Sequence, residues 1–215
     1  MSLYPTLSAL LDYPEAALID ALPEIEAALA ASPRARASLS PLVDALKSRS
    51  LIESQETYVA TFDRTPSQSL HMFEHVHGES RDRGPAMVDL IDEYRALGLE
   101  VTSNELPDYV PLFLEVLGLI DPAKAQSLLD EAIHVLNAIG ERLAKNESPY
   151  AGVFDVLRTL ASVEPRPLTQ PPVRDMDEAL EMFGPGHDGV EPLLVPSRGA
   201  STQTIRFHPT VKEAR

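Results

Sequence analysis

The chemistry-bearing residues of this chain are concentrated in two short stretches. The first, residues 69–84, holds His71, His75 and His77 together with Glu74. His71 and His75 are four apart, a spacing that places both on one helix face and suits a zinc or iron site. The order is His-Met-Phe-Glu-His, not His-Glu-x-x-His, so Glu74 faces away from the histidine side and a metalloprotease arrangement fails on geometry. The competing reading is that these imidazoles hydrogen-bond the segment in place or line a binding surface. Directly after them, Glu79, Arg81, Asp82 and Arg83 form a charged run before Pro85. Arg81 and Arg83 could clamp a phosphate or carboxylate at a helix start, or close an internal network with Glu79 and Asp82.

The second stretch is Glu105, Pro107, Asp108 and Tyr109, leading into Pro111 and an apolar run. Asp108 or Tyr109 can cap the helix that Pro111 helps open, and the carboxylates at 105 and 108 beside an aromatic ring can meet a basic peptide. No glycine-rich phosphate loop, Gly-x-Ser-x-Gly or Cys/His pair is present, and no carboxylate pair sits in an apolar run that would raise a pKa. The residues call for no catalytic centre and no resident metal.

These residues must be positioned by helices. Leu7, Leu10 and Leu11 follow Tyr4-Pro5; Leu18, Leu22, Ile25 and Leu29 follow Tyr13-Pro14, with Pro23 as a kink; Leu42, Val43 and Leu46 follow Ser40-Pro41. Met87, Leu90, Ile91, Tyr94 and Leu97 follow Gly84-Pro85 and stop at Gly98. The longest period, Ala125 to Leu143, follows Asp121-Pro122, and Val153, Phe154, Leu157 and Leu160 follow Ser148-Pro149. A capping side chain with Pro at the first helical position is a start signal, because Pro presets φ and lacks only an N–H that would be unpaired anyway. Ser50 and Glu53 spell a capping box before Leu51, Tyr58, Val59 and Phe62. No segment alternates with period two between turn signals, so the fold class expected is all-α: one compact helical domain, residues 1–164, of about eight helices. Residues 63–84 are expected as a long internal loop with one helical turn, pinned on the bundle.

The tail, residues 165–215, holds 8 of the 19 Pro and 4 of the 10 Gly, with net charge only −1. It is expected to be disordered, because its few apolar residues cannot offset ordering entropy. Within it, Met176, Leu180 and Phe183 share one face of a short amphipathic stretch. The whole chain has 215 residues, 44% hydrophobic, 33 Asp+Glu against 18 Lys+Arg, and no Cys. That balance argues against nucleic acid as a partner and for a basic one. It also excludes disulfides, thiolate metal sites and Cys nucleophiles. With no signal peptide and no apolar run of spanning length, a cytoplasmic protein without membrane insertion is expected.

Three blocks, YVATFDR (58–64), SLHMFEHVHGESRDRGPAMVDL (69–90) and ELPDYVPLFLEVL (105–117), closely resemble in order and spacing the nitrate reductase molybdenum cofactor assembly chaperone (delta subunit) family. It is part of the wider group of all-helical chaperones dedicated to molybdoenzymes. The resemblance covers roughly residues 3–164. It implies a single helical domain that is not an enzyme and not part of the finished nitrate reductase. It implies binding to the apo catalytic (alpha) subunit, chiefly through a basic amphipathic N-terminal peptide. The client would thereby stay competent for molybdenum cofactor insertion and iron–sulfur maturation before membrane docking. No cofactor would be held stably, with contact to the molybdenum cofactor limited to insertion. The wider group carries Glu-x-Pro-Asp-His; Glu105, Pro107 and Asp108 match, while Tyr109 stands where His is usual, a departure toward the nitrate reductase branch that weakens the carry-over of a His-dependent role.

An acidic helical domain suits such a client in its own terms, since an amphipathic helix lays apolar anchors into a groove while rim charges set its orientation. Tyr58, Phe62, Phe73, Tyr109 and Phe113 are groove candidates, with core packing as the alternative for each; His71, Glu74, His75, His77, Glu79, Arg81, Arg83, Glu105, Pro107 and Asp108 complete the partner-binding set. The rival function is a metal- or cofactor-binding helical protein using the His71/His75/His77 loop.

Overall fold

A computed structural model describes residues 2–168, apart from Glu79 and Ser103. Among the described residues there are nine α-helices: α1 Tyr4–Leu11, α2 Ala16–Leu29, α3 Pro33–Ser48, α4 Leu51–Tyr58, α5 Met72–His77, α6 Arg83–Ala96, α7 Val110–Leu119, α8 Pro122–Lys145 and α9 Ala151–Leu160. The all-α expectation stands. The helix beyond the expected eight is α5, which lies with a 3₁₀ turn, Pro66–Gln68, in the segment expected as a loop. The expected tail and its Met176/Leu180/Phe183 face lie, from residue 169 on, outside the described residues.

The 24-residue α8 is the spine. Asp121 caps it by accepting from the N–H groups of Ala123 and Lys124, with Pro122 in the first turn. Leu129, Ile133, Leu136, Ile139 and Leu143 recur along one face at helical spacing and are wholly buried. α7 and α9 pack on it, α1 lies on α7, and α3 covers α9. The α3–α9 contact is close enough that a Cβ on Gly152 would lie 2.0 Å from the Ser38 carbonyl oxygen, so only glycine fits there.

Helix starts mostly follow the expected signals. The Ser50/Glu53 capping box is closed in both directions, and Gly98, with φ +83°, terminates α6 as expected. Ser40-Pro41 does not start a helix: α3 begins at Pro33 and Pro41 sits inside it. Proline there withholds the N–H that Ala37 would receive, and the Ser40 hydroxyl takes its place, donating to the Ala37 carbonyl at 3.1 Å. α2 and α9 begin two residues after Pro14 and Pro149. The segment after Tyr58 is also not plain α-helix, because Val59–Asp63 forms a π-turn.

Candidate functional site

The two chemistry-bearing stretches meet. Residues 70–72 run antiparallel to 108–110: His71 pairs with Tyr109, Met72 N–H donates to the Asp108 carbonyl at 3.1 Å and Val110 N–H to the Leu70 carbonyl at 2.9 Å. His71, at the N-cap of α5, makes no side-chain cap hydrogen bond. Asp108 makes one from across the junction, its Oδ2 accepting from Phe73 N–H at 2.9 Å. Its other oxygen, Oδ1, lies 3.5 Å from His71 Nδ1. A wholly buried carboxylate needs such compensation. In return Asp108, above all through this contact and then through its charge, raises the His71 pKa above the ordinary imidazole value; burial pulls the other way.

Asp108 was expected on a client-facing rim with Glu105. The structure corrects this: Asp108 has no exposed surface, while Glu105 and Leu106 remain exposed beside it. Nor does Asp108 or Tyr109 cap α7 by side chain. Pro107 is buried, and its carbonyl accepts from the Tyr94 hydroxyl of α6 at 2.9 Å.

The histidines do not share a face. His71 precedes α5 and tilts over the Tyr109 ring, centroids 5.4 Å apart. His75 points inward between Ser69 and Arg142. Arg142 Nη1 lies 2.9 Å from its Nδ1, and guanidinium only donates, so Nδ1 accepts. Its Nε2 therefore carries the proton and donates to the Ser69 carbonyl at 2.8 Å. His77 stands edge-on to Phe73 at 5.5 Å. The three rings thus have three neighbourhoods, and among the described residues no three His, Asp or Glu side chains gather as metal ligands. The shared His71/His75 helix face expected from their spacing is therefore not formed, since His71 precedes α5.

Of the charged run, Arg83 reaches back to Glu74 at 3.1 Å, an ion pair between α5 and α6; Glu79 lies outside the described residues. Arg81 is exposed.

The aromatic groove candidates divide. Tyr58, Phe62 and Phe113 are buried core residues. Tyr58 packs on Phe62 at 4.8 Å and edge-on to Tyr150 at 6.1 Å. Its hydroxyl donates to the Leu11 carbonyl at 3.1 Å, so in the 2.8 Å contact between the two hydroxyls Tyr109 is the donor. Burial, first of all, raises the phenol pKa of Tyr58, Tyr94 and Tyr109, keeping these hydroxyls protonated as donors. Phe73 and Tyr109 are half-buried and border the junction.

Sequence reasoning missed Arg142 and Tyr94, the two side chains that tie the junction to α8 and α6. Arg142 also donates to the Ser67 carbonyl at 3.1 Å. Tyr94 was visible only as one apolar position of a helical period; Arg142 had no sequence signal, since its partners lie 67 and 75 residues away.

The sequence profile of the family described as nitrate reductase delta subunit matches residues 28–155, a span that contains every residue of this junction. The chain is 42% identical over 160 residues to the nitrate reductase molybdenum cofactor assembly chaperone NarJ of Escherichia coli K12, covering 73% of this chain and 68% of that protein. It is 38% identical over 161 residues to the probable chaperone of the same description, NarW, of the same strain, covering 75% and 68%. Against the probable NarJ of Bacillus subtilis 168 it is 31% identical over 163 residues, covering 75% and 88%. By this match and these identities, this chain belongs to the nitrate reductase delta subunit family.

Proposed function

We propose that this chain is an assembly chaperone for the catalytic subunit of a nitrate reductase, without turnover of its own. It binds the apo subunit through a basic amphipathic N-terminal segment and keeps it competent for cofactor insertion and metal-centre maturation until membrane docking. The molybdenum cofactor enters as the client's cargo, met during insertion and not retained. The observation that carries this reading is the family match over residues 28–155 together with relatives named as cofactor assembly chaperones.

The site's chemistry supports it. Within the junction Asp108 Oδ2 accepts from Phe73 N–H, His75 bonds Ser69 and Arg142, and Tyr94 bonds Pro107, while Asp108 Oδ1 faces His71 Nδ1 at 3.5 Å without a hydrogen bond. Such a junction holds a shape and presents a surface; it offers no general base aimed into a cleft. Among the described residues no helix is long and apolar enough to cross a membrane. A net charge of −15 favours a basic segment.

Co-expression with a tagged catalytic subunit tests the proposal. In cells unable to make the molybdenum cofactor, the chain should co-purify with the apo subunit at near one-to-one stoichiometry. It should be absent from the mature, membrane-docked enzyme. Equal recovery with apo and mature enzyme, or no recovery with either, would refute it.

A further inference from the structure

α6 is held more loosely than the other long helices. Among the helices of ten residues or more it alone has a single buried residue, Tyr94. Among the described residues it packs mainly on α5, which is itself only six residues long. Leu90 and Leu97 reach the core from its inner face, but Met87 and Ile91 are half-buried without joining the core, and Val88 is exposed. The chain is anchored on either side of it. Met72 and His75 are buried before α6, and Leu99 and Val101 pack on the core after it. Glycines with positive φ follow both helices, Gly78 at +54° after α5 and Gly98 at +83° after α6. Residues at element ends are where a chain absorbs the rotation of a rigid segment.

What holds α6 closed is polar and local. In its last turns the Tyr94 hydroxyl donates to the Pro107 carbonyl at 2.9 Å, and in its first turn Arg83 pairs with Glu74 at 3.1 Å. Tyr94 has no exposed surface, so the burial of its ring and its hydrogen bond form together and are lost together. Glu93, the residue before it, works against closure. Burial, and then the charge of Glu131 on α8, raises the Glu93 carboxyl pKa. Closure therefore strips this carboxylate of part of its water and brings it near a like charge. A helix with few buried apolar contacts belongs to the low-stability end of a fold and opens before the core does.

We propose that α6 opens as a unit while the bundle of α1–α4 and α7–α9 stays folded, with the Tyr94–Pro107 hydrogen bond as its catch. Opening turns the chain about Gly98 and bares Leu90, Tyr94 and Leu97 together, the inner face of the helix. This device belongs to the domain itself and stands apart from the chaperone reading, so the failure of either leaves the other in place.

The test is residue-resolved amide hydrogen exchange of the full chain, followed by NMR across low urea concentrations. The amides of α6 from Val88 to Leu97 should share one protection factor, at least about 100-fold below that of the α8 amides from Ile133 to Leu143. Their exchange should depend little on urea, because a small opening exposes little surface. Tyr94→Phe keeps the ring and removes the donor, and should speed exchange throughout α6 about fivefold or more. Ile25 is buried on α2, which packs on α3. Ile25→Val should speed α8 exchange about twofold to tenfold and leave α6 exchange unchanged, because α2 stays folded when α6 opens. The wild-type urea series and Ile25→Val decide the matter by themselves should Tyr94→Phe fail to fold. Protection graded inward from the ends of α6, one protection factor shared by α6 and α8, α6 exchange that follows Ile25→Val, or α6 exchange indifferent to Tyr94→Phe would each overturn the proposal.

Discussion

Asp108 Oδ1 and His71 Nδ1 face each other at 3.5 Å, the carboxylate without exposed surface and the imidazole partly open to solvent. This pair joins the two segments of the chain that carry its polar chemistry. Asp108 serves both: one oxygen caps α5 and the other compensates the histidine. Replacing Asp108 with Ala orphans Phe73 N–H and leaves His71 without its counter-charge. Loss of a hydrogen bond to a charged group costs about 1.5–3 kcal/mol. Asp108→Ala should therefore lower the urea midpoint clearly, whereas Glu105→Ala, at an exposed position, should stay within about 0.5 kcal/mol of wild type. Equal effects would contradict the placement of the two carboxylates.

The His71 pKa is raised, chiefly by Asp108, with Glu74 adding to the rise and Arg83 opposing it. A group whose pKa is higher folded than unfolded stabilises the fold fully below its unfolded value and loses that contribution as pH rises through the folded value. Stability should thus decline as pH climbs from the ordinary histidine value of 6.5 through the raised one. His71→Gln should flatten this decline. The check is the urea midpoint of both proteins at several pH values across that window; parallel curves would dismiss the pair as the source.

Gly152 lies where α9 crosses α3, and a Cβ there would sit 2.0 Å from the Ser38 carbonyl oxygen. Backbone cannot yield as a side chain can, so Gly152→Ala should destabilise by about 2–3 kcal/mol, the upper part of the overpacking range. Gly84→Ala, with open space around the added carbon, should be neutral or mildly stabilising, by up to about 1 kcal/mol. Thermal unfolding of the two variants side by side decides the matter.

Glu105 is the acid of its motif that remains on the surface. Glu105→Lys should weaken client-peptide binding about threefold to tenfold at low salt, with the difference shrinking as salt screens it. An unchanged melting temperature with unchanged affinity would remove Glu105 from the binding surface.

Much of the fold was legible in the chain because its signals are local. The Asp121 cap with Pro122, the Ser50/Glu53 box and the Gly98 stop each act within one turn, and each marks a helix end in the structure. Ser40-Pro41 misled for a physical reason: the hydroxyl that resembles a cap instead fills the carbonyl that an interior proline leaves open. α5 was expected only as one unplaced helical turn, because six residues are too few for a period and because its cap comes from Asp108, 35 residues on. The site was legible as composition but not as geometry. Residue types located both stretches, yet whether Asp108 faces solvent or His71, and whether His75 shares a face with His71, is set by the pairing of segments and by Arg142 of α8.

The central claim, that an acidic helical domain of this family holds a basic segment of its client, is tested most directly by calorimetric titration. The purified chain is titrated with a synthetic peptide of the catalytic subunit's N-terminal segment at two salt concentrations, with metal analysis of the same sample. One-to-one binding that weakens at higher salt, in metal-free protein, is the predicted result. No binding, with stoichiometric metal in the sample, would contradict the account and return attention to His71, Glu74, His75 and His77.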